Sequence, residues 1–600
     1  MRQDQRLRMS PVRSLRHLTA FLYLLLVGAI LITPFAYQPA QAQLAPDRPD
    51  FVQGEISTNE YDGSTNDLLT AGLGAAGLAA GNTAPAFADP ANPTAAELRR
   101  RAIFNNYLAL VPNAPGGGYG TLFGPAVGVD GDGKIPGKEY LAFADDGTGA
   151  KNVTLMVQIP TSFNPAKPCI ITAPSSGSRG IYGAIGTSGE WGLKKGCAVA
   201  YTDKGTGLGV YDLASRTVNV IDGTRTDAIA AGQRSNFTPR IAGETYLIDL
   251  PNRIAIKHAH SRQNPEADWG LNVLQSIEFA FYVLNLEENF GASGITPANT
   301  TVIAASVSNG AGASIRAAEQ DTNGLIDGIA VSEPNVQPML TTPVTINQGS
   351  TTWSGDNVGR TLLDYYTYLN LYQACANLAP ANATAPLNLV APTLGSGRCQ
   401  SLREAGLLTS DTLTEQAIEA QQKINDYGIL KEQNILLPSH FFANTVESIS
   451  MLYANSYGRF GVEENLCGFS YAQIAAGVPI TATAAILASQ FSDSNGIPPA
   501  AGLALINDRA QGGAFENRNS VSSSGRQDQN LDGALCLRRV ATGQNLDGSP
   551  VTGAELEQHQ RIMQGISEVK ATGNLRDVPM VIVNGRNDAV LGPNHTSRPY

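Results

Sequence analysis

The chain has 600 residues, of which 42% are hydrophobic and 16% charged, so it is long enough for roughly two to four domains and too apolar to be disordered as a whole. Its formal net charge of -11 and the lack of a basic patch in the sequence argue against a nucleic-acid partner. The 62 glycines and 34 prolines predict many turns and long loops.

The first 42 residues have the features of an export signal. Several arginines precede Leu18 to Ile32, an apolar run that is short for a membrane span. Ala40-Gln41-Ala42 then follows as a cleavage site of the A-x-A type. We therefore predict a signal peptide over residues 1–42 and a chain secreted to the periplasm or the medium, without stable membrane association. An uncleaved membrane anchor is the alternative.

All six cysteines follow the predicted cleavage site, and in an oxidising compartment an even number of cysteines indicates disulfides. Six cysteines leave the connectivity open, and we predict that neighbours in sequence pair: Cys169 with Cys197, Cys375 with Cys399, and Cys467 with Cys536. The sequence has no C-x-x-C motif and no His/Cys cluster, so we predict neither a metal nor a cofactor.

Residues 43–125 are rich in Ala, Gly, Asn and Pro and predict a loosely structured lead-in, with an amphipathic piece near Ala95 to Leu110. Residues 126–335 predict the first part of an α/β core. Four strand-like runs open it as a meander and the first parallel strands of a large sheet: Glu139–Phe143, Val153–Ile159, Cys169–Thr172 and Ala198–Tyr201.

A small, Gly/Ser-rich loop follows the third of these runs, with the sequence Pro174-Ser175-Ser176-Gly177-Ser178-Arg179-Gly180. Such a loop lets backbone N–H groups approach a ligand closely. An ordinary flexible loop is the alternative. Farther along, Asp268 to Phe290 has apolar residues at helical spacing and predicts a crossover helix. We interpret His258 and His260 before it as loop or surface residues rather than ligands.

Residues 301–319 predict a short buried strand, a tight turn and a helix. At the turn, Ser306-Val307-Ser308-Asn309-Gly310 resembles the nucleophile elbow of α/β-hydrolases, with Ser306 in place of the usual first glycine. We predict that Ser308 is a nucleophile. The N–H of Asn309 and those of Ser176 and Gly177 would form the oxyanion hole. A solvated turn serine is the alternative.

Residues 336–545 lose the parallel βα rhythm and predict a large, mainly helical insertion that forms a lid or a pocket wall. Within it, residues 510–550 are polar and predict a long surface loop. Residues 546–600 predict an incomplete return to the core. There the strand Pro579 to Val583 leads to Asp588, which we predict as the acid of a catalytic triad.

The histidine of such a triad follows the acid in α/β-hydrolases. After Asp588 the chain has only His595, which is too close behind the acid for the usual separate loop. His440, in the insertion, is a weak substitute. We therefore predict that the chain is cut short, that the catalytic histidine lies beyond Tyr600, and that the 600-residue form is nearly inactive.

Several blocks together resemble the secreted D-(-)-3-hydroxybutyrate oligomer hydrolases, from about residue 120 to the end. They are Ser306-Val-Ser-Asn-Gly-Ala-Gly, Val331-Ser-Glu-Pro-Asn, Ser175-Ser-Gly-Ser-Arg-Gly, Asn264-Pro-Glu-Ala-Asp-Trp-Gly, Ala454-Asn-Ser-Tyr-Gly-Arg and Asn594-His-Thr-Ser-Arg-Pro-Tyr.

The resemblance implies an α/β-hydrolase-like, mostly parallel sheet and a serine esterase that cleaves 3-hydroxybutyrate oligomers, including the dimer, to monomers during polyhydroxybutyrate breakdown. It carries the nucleophile onto Ser308 and implies no cofactor. Two alternatives stay open: another secreted carboxylesterase, of the feruloyl-esterase or tannase kind, and a non-catalytic binding protein on a degenerate hydrolase scaffold. The oligomeric state is open as well.

Overall fold

The computed structural model describes residues 47–79, 81–111, 133–243, 245–494 and 496–600, so the predicted signal peptide lies outside the described residues. Eight strands form the central sheet: β1 (Val52–Tyr61), β2 (Gly137–Ala144), β3 (Val153–Pro160), β4 (Cys169–Pro174), β5 (Ala198–Thr202), β6 (Thr301–Val307), β7 (Gly328–Ser332) and β8 (Met580–Val583). The four strand-like runs predicted between residues 139 and 201 are thereby confirmed.

The strands lie in the order β1-β2-β3-β5-β4-β6-β7-β8. β1, β2, β3 and β5 pair antiparallel, whereas β5, β4, β6, β7 and β8 pair parallel. The sheet is therefore mixed rather than mostly parallel, because a meander joins the parallel strands at β5. Every residue of β3 is buried, as expected for a strand covered on both faces.

Part of the lead-in predicted to be loose is ordered. β1 extends the meander along its edge, and its residues 57–61 pair with residues 137–141 of β2. Helix α1 (Ala95–Leu110) begins at a capping box, in which Thr94 and Glu97 satisfy each other's backbone N–H groups. The prediction of a loose lead-in is wrong for β1, whereas α1 lies where the sequence predicts an amphipathic piece. Residues 112–125 lie outside the described residues.

Two further helices pack on the sheet, α2 (Pro265–Leu284) and α3 (Asn309–Gln320). α2 confirms the predicted crossover helix. Trp269, Val273, Ile277 and Ala280 form its buried face, whereas Leu271 is 44% exposed. The helical spacing of apolar residues therefore predicts the helix, but it does not predict which face is buried. Trp269 and Val273, which lie on the buried face, determine that face.

Residues 333–579, between β7 and β8, contribute no strand to the central sheet among the residues described there. Seven helices of this segment are α4 (Leu362–Ala376), α5 (Pro392–Glu404), α6 (Leu413–Asp426), α7 (Leu437–Phe442), α8 (Thr445–Gly458), α9 (Leu531–Thr542) and α10 (Gly553–Glu568). A four-stranded antiparallel sheet lies among them, formed by Phe469–Ala475, Val478–Ile480, Leu503–Asn507 and Phe515–Glu516.

The surface loop predicted over residues 510–550 is interrupted by α9. Asn530 caps this helix, accepting from the N–H of Gly533 at 2.9 Å, and Leu531, Ala534, Leu537 and Val540 are buried. The predicted loop is therefore wrong in this part, because four apolar residues at helical spacing outweigh the polar residues around them.

All three predicted disulfides are confirmed: Cys169–Cys197, Cys375–Cys399 and Cys467–Cys536. The first joins β4 to the residue before β5, and the second joins α4 to α5. No helix in the described part of the chain is both long enough and apolar enough to span a membrane.

The remaining strands form three small sheets separate from the central one. A second antiparallel sheet contains Val210–Asp212, Thr217–Asn219, Arg225–Asp227 and Ile254–Ile256, and two-stranded pairs are formed by Gln337–Pro338 with Lys570–Ala571 and by Ile346–Gln348 with Thr351–Trp353. The short α-helices are Gly74–Gly77, Glu190–Lys194, Ala228–Ala231, Thr245–Asp249, Lys257–His260 and Ala484–Ser489.

Candidate active site

Ser308 lies at the sharp turn between β6 and α3, in the strand-turn-helix arrangement predicted from the sequence. Its backbone has φ 61° and ψ -126°, a conformation that a residue with a side chain rarely adopts. Hydrogen bonds hold it there: its N–H donates to the carbonyl of Ser332 at 3.0 Å, and its carbonyl accepts from the N–H of Asn335 at 3.0 Å. The side chain is half-buried.

Small residues make this turn possible because the backbone is crowded on both sides. A Cβ at Gly310 would lie 2.2 Å from the carbonyl oxygen of Pro174, and a Cβ at Gly312 would lie 1.9 Å from that of Asn335. Ser306 has room for its hydroxyl and donates to the same Pro174 carbonyl at 2.6 Å. The serine that replaces the usual glycine therefore ties the turn to the end of β4.

Asn309 follows Ser308 and begins α3. Its side-chain amide donates to the hydroxyl of Tyr453 on α8 at 3.0 Å and accepts from the side chain of Asn335 at 3.0 Å. Its backbone N–H has no hydrogen-bond acceptor among the described residues. An unpaired N–H at the start of a helix is a favourable donor to an anion.

The Gly/Ser-rich loop after β4 lies beside Ser308 and Asn309. Gly177 has φ 56°, and a Cβ there would lie 2.6 Å from the carbonyl oxygen of Gly496, so glycine is required. The N–H of Ser176 donates to Gly183 at 3.4 Å, whereas that of Gly177 has no acceptor in the described part of the chain. Gly177 is therefore better placed than Ser176 to serve an oxyanion.

A buried lysine, Lys204, holds this loop from behind. Its ammonium donates to the carbonyl and the hydroxyl of Ser175 at 2.5 and 2.6 Å, and to the carbonyl of Gly177 at 3.2 Å. Burial lowers the pKa of Lys204 to about 7. The carbonyl and the N–H of one peptide unit point in opposite directions. Because Lys204 binds the carbonyls of this loop, it also constrains the directions of the loop's N–H groups.

His258 and His260 are buried, so their interpretation as loop or surface residues is wrong. They lie in the short helix Lys257–His260, which is packed into the core and which the sequence pattern did not indicate. The Nδ1 atom of His258 is 2.7 Å from the hydroxyl of Ser178, so this histidine also anchors the Gly/Ser-rich loop. Burial lowers the pKa of His258 to about 3, and its imidazole is neutral at pH 7.

Asp588 forms a carboxyl pair with Glu333, a residue that the sequence analysis missed. Glu333 follows β7 directly and accepts from the N–H of Gly585 at 2.7 Å, while Asp588 accepts from the N–H groups of Val590 and Leu591 at 2.8 and 3.0 Å. The two carboxyl groups are close enough for each to affect the pKa of the other. Burial raises the pKa of both, that of Glu333 to about 7, so the pair holds a proton near neutral pH.

These groups meet at one cavity of about 570 Å³, a volume typical of small-molecule sites. All five predicted site residues within the chain line it: Ser308, Asn309, Ser176, Gly177 and Asp588. The insertion supplies an apolar wall, which includes Leu436, Ile449, Leu452 and Tyr453. The cavity thus has polar groups at the sheet end and apolar side chains opposite.

Two histidines need separate mention. His440, on α7, lines this cavity, and burial lowers its pKa to about 4. His595 is fully buried elsewhere: its ring stacks on Tyr365 at 5.1 Å, and its Nδ1 accepts from the N–H of Arg360 at 3.4 Å. A catalytic histidine beyond Tyr600 stays a prediction.

The chain matches the family model 3HB-oligomer hydrolase over residues 36–600. It is 50% identical over 568 residues to the D-(-)-3-hydroxybutyrate oligomer hydrolase of Albidiferax ferrireducens, a match that covers 91% of this chain and 78% of that protein. For the proteins of the same name from Polaromonas naphthalenivorans and Ralstonia pickettii the identities are 49% and 46%, covering 91% and 92% of this chain and 78% and 75% of the relatives.

Among solved structures, feruloyl esterase B from Aspergillus oryzae matches with a TM-score of 0.27 and 9% identity over 78% of this chain and 69% of that one. The glucuronoyl esterase from Solibacter usitatus matches with a TM-score of 0.20 and 13% identity over 49% of this chain and 82% of that one.

Proposed function

Because this chain belongs to the 3HB-oligomer hydrolase family, it is an ester hydrolase of 3-hydroxybutyrate oligomers, and we propose that Ser308 is its nucleophile. The observation that carries this proposal is the convergence of the predicted residues on one cavity. Ser308, two candidate N–H donors and a carboxyl pair come from four different segments of the chain, yet all line the same space.

In the proposed reaction, Ser308 Oγ attacks the carbonyl carbon of an ester bond, and the N–H groups of Asn309 and Gly177 stabilise the oxyanion that forms. The alcohol end of the oligomer then leaves, and water hydrolyses the acyl-enzyme to release the second product. The chemistry needs no cofactor. The dimer is included among the substrates, and the products are the monomers that polyhydroxybutyrate degradation releases.

A histidine moves the proton in this scheme, and Asp588 orients it, with Glu333 sharing the proton of the carboxyl pair. Two sources of this histidine are distinguishable. The first source is His440, which lines the cavity. This position favours His440 as the base over His595, which is buried outside the cavity. A residue following Tyr600 is the other source.

We further propose an α/β-hydrolase organisation. The core consists of residues 126–335 and 546–600, the insertion of residues 336–545 acts as a lid, and residues 1–42 direct secretion. The order of β3 to β8, with Ser308 after β6 and Asp588 after β8, supports the first proposal. The three disulfides support an oxidising compartment.

The test is hydrolysis of the 3-hydroxybutyrate dimer and of a feruloyl or other aryl ester by the wild-type protein and three variants. Ser308→Ala should lose at least about 10³-fold in kcat/KM for the dimer, as expected for loss of a nucleophile. Ser314→Ala, which changes a buried serine nearly two turns farther along α3, is the matched control. His440→Gln should lose a similar factor if His440 is the base, and retained activity would place the base elsewhere. Wild-type turnover by Ser308→Ala would overturn the proposal.

A further inference from the structure

A linear 3-hydroxybutyrate oligomer ends in a free carboxylate, so every substrate of this site is an anion at neutral pH. Two carboxyl groups, Glu333 and Asp588, already line the cavity. Moving a third carboxylate into such a space is unfavourable unless a cation accompanies it. The chemistry of the substrate therefore calls for a positive group in the wall.

Arg179 is that group. It lies in the Gly/Ser-rich loop, and no lysine or second arginine lines the cavity among the residues described there. One terminal nitrogen of its guanidinium donates to the hydroxyl of Ser176 at 3.4 Å. The residue is 9% exposed, and burial lowers the pKa of its guanidinium to about 10, which leaves it charged at pH 7.

The neighbouring backbone at Gly496 determines where this guanidinium lies. A Cβ at Gly496 would lie 2.5 Å from a terminal nitrogen of Arg179, so the side chain occupies a slot that exists because residue 496 is glycine. Gly496 also accepts from the N–H of Ser178 at 2.6 Å. The same segment thus fixes both the oxyanion loop and the arginine next to it.

The leaving group of the dimer is short. In the dimer, the carboxylate carbon is separated from the scissile carbonyl carbon by the ester oxygen and two carbons, or roughly 5 Å by standard bond lengths. Arg179 contacts Ser176, the neighbour of the proposed oxyanion donor Gly177. A carbonyl seated at the oxyanion hole therefore brings the carboxylate within reach of the guanidinium, whose planar fork suits two parallel hydrogen bonds.

We propose that Arg179 binds the terminal carboxylate of the oligomer and makes the enzyme selective for the ester bond nearest that end. This proposal rests on the proposed function of Ser308. It assigns to the site a carboxylate subsite on the leaving-group side, and it explains in chemical terms why short chains with a free acid end are substrates. Ester bonds in the middle of a polymer have no carboxylate within reach of Arg179.

The experiment compares kcat/KM for the 3-hydroxybutyrate dimer with that for its methyl ester, which has the same scissile bond and no charge. In Arg179→Gln, kcat/KM for the dimer should fall about 100-fold, while that for the methyl ester should change less than about threefold. Arg179→Lys should retain part of the preference for the acid. Arg526→Gln, which removes an arginine paired with Glu404 outside the cavity, is the control for net charge.

Equal losses for both substrates would overturn the carboxylate subsite, because they would assign Arg179 to the oxyanion or to the fold. Unchanged kinetics for both would overturn it as well. Binding of 3-hydroxybutyrate to Ser308→Ala, measured by calorimetry, adds a readout that needs no turnover. The further change Arg179→Gln should raise the Kd at least tenfold, and an unchanged Kd would contradict the proposal.

The failure of this inference is distinct from the failure of the proposed function. If Ser308→Ala hydrolyses the dimer at the wild-type rate, the nucleophile is wrong, whatever Arg179 does. If Ser308→Ala is inactive and Arg179→Gln affects acid and methyl ester alike, the nucleophile stands and only the carboxylate subsite is excluded.

Discussion

At the scale of single residues, the carboxyl pair of Glu333 and Asp588 makes the site sensitive to pH near neutrality. Glu333 follows β7 with φ 47°, a strained position for a residue with a side chain, and its carboxyl is held by the N–H of Gly585. Burial and the neighbouring Asp588 raise the pKa of Glu333 to about 7. Below that value a protonated Glu333 does not repel the neighbouring Asp588, and this repulsion appears as the pH rises above it.

Glu333→Gln should therefore flatten the pH dependence of stability between pH 6 and 8.5. A raised pKa in the folded state stabilises the fold at low pH, and this contribution is lost as the pH rises through about 7. The wild type should lose about 1 kcal/mol more than the variant over this range, once solvent screening of a half-exposed group is allowed for. Urea unfolding at several pH values measures the difference, and parallel curves would contradict the shared proton.

The residues that local sequence could identify are those whose role follows from their neighbours in the chain. Ser308 and Asn309 follow from a strand-turn-helix pattern, and Gly177 from a loop of small residues after a strand. Glu333 and Lys204 could not be identified in this way. Their roles depend on contacts with Asp588 and Ser175, which are distant in sequence.

At the scale of elements, the disulfide between Cys467 and Cys536 closes the longest loop of the three, with a sequence separation of 69. The disulfide between Cys375 and Cys399 has a separation of 24 and joins α4 to α5. In the chain-entropy account, a cross-link stabilises the fold more when it closes a longer loop.

Replacing both cysteines of each pair by serine tests this order. Loss of the 467–536 pair should lower the free energy of unfolding by about 4 kcal/mol, and loss of the 375–399 pair by about 3 kcal/mol. All four cysteines are buried, so the cost of the serine hydroxyl is similar in both variants. Chemical unfolding without reductant provides the values, and a larger loss for the 375–399 pair would be inconsistent with the chain-entropy account.

Elements were predictable where the pattern was strong and local. β3 and β6 are apolar runs, and α2 has apolar residues at helical spacing. β1 was missed because it is an edge strand with polar residues on much of its length, and only its pairing with β2 reveals it. α9 was missed because its buried face is embedded in a polar segment.

At the scale of the whole molecule, fully buried histidines make stability depend on pH. Burial lowers the pKa of His258, His260 and His595 to about 3. The unfolded chain takes up protons on these rings below about pH 6.5, whereas the folded protein does not. Their contribution to stability is therefore present at pH 7 and is lost as the pH falls.

His260→Gln isolates one of these contributions. In the wild type, the Nδ1 atom of His260 accepts from the N–H of Ile256 at 3.1 Å, and the amide oxygen of glutamine can accept in its place. Between pH 7 and pH 5 the variant should lose roughly 2 kcal/mol less stability than the wild type. Unfolding free energies at the two pH values decide the matter, and equal losses would show that His260 does not carry this effect.

The cavity is a property of the assembled molecule. The sheet supplies the polar groups, and the insertion supplies the apolar wall and Tyr453, whose hydroxyl contacts Asn309. The sequence predicts an insertion with a role in the pocket. It does not predict which side chains of residues 336–545 reach the cavity, because those contacts arise only when the chain folds. The same holds for Arg179 in the core: the sequence predicts its loop as part of the site, but not the place of its side chain in the cavity wall.

The most direct test of the central claim is to locate the residue that reacts with a fluorophosphonate by peptide mass spectrometry, with and without the 3-hydroxybutyrate dimer. We predict one adduct, on Ser308, that the dimer slows and that Ser308→Ala abolishes. An adduct on a different serine, or no adduct on a protein that hydrolyses the dimer, would contradict the assignment of Ser308 as the nucleophile.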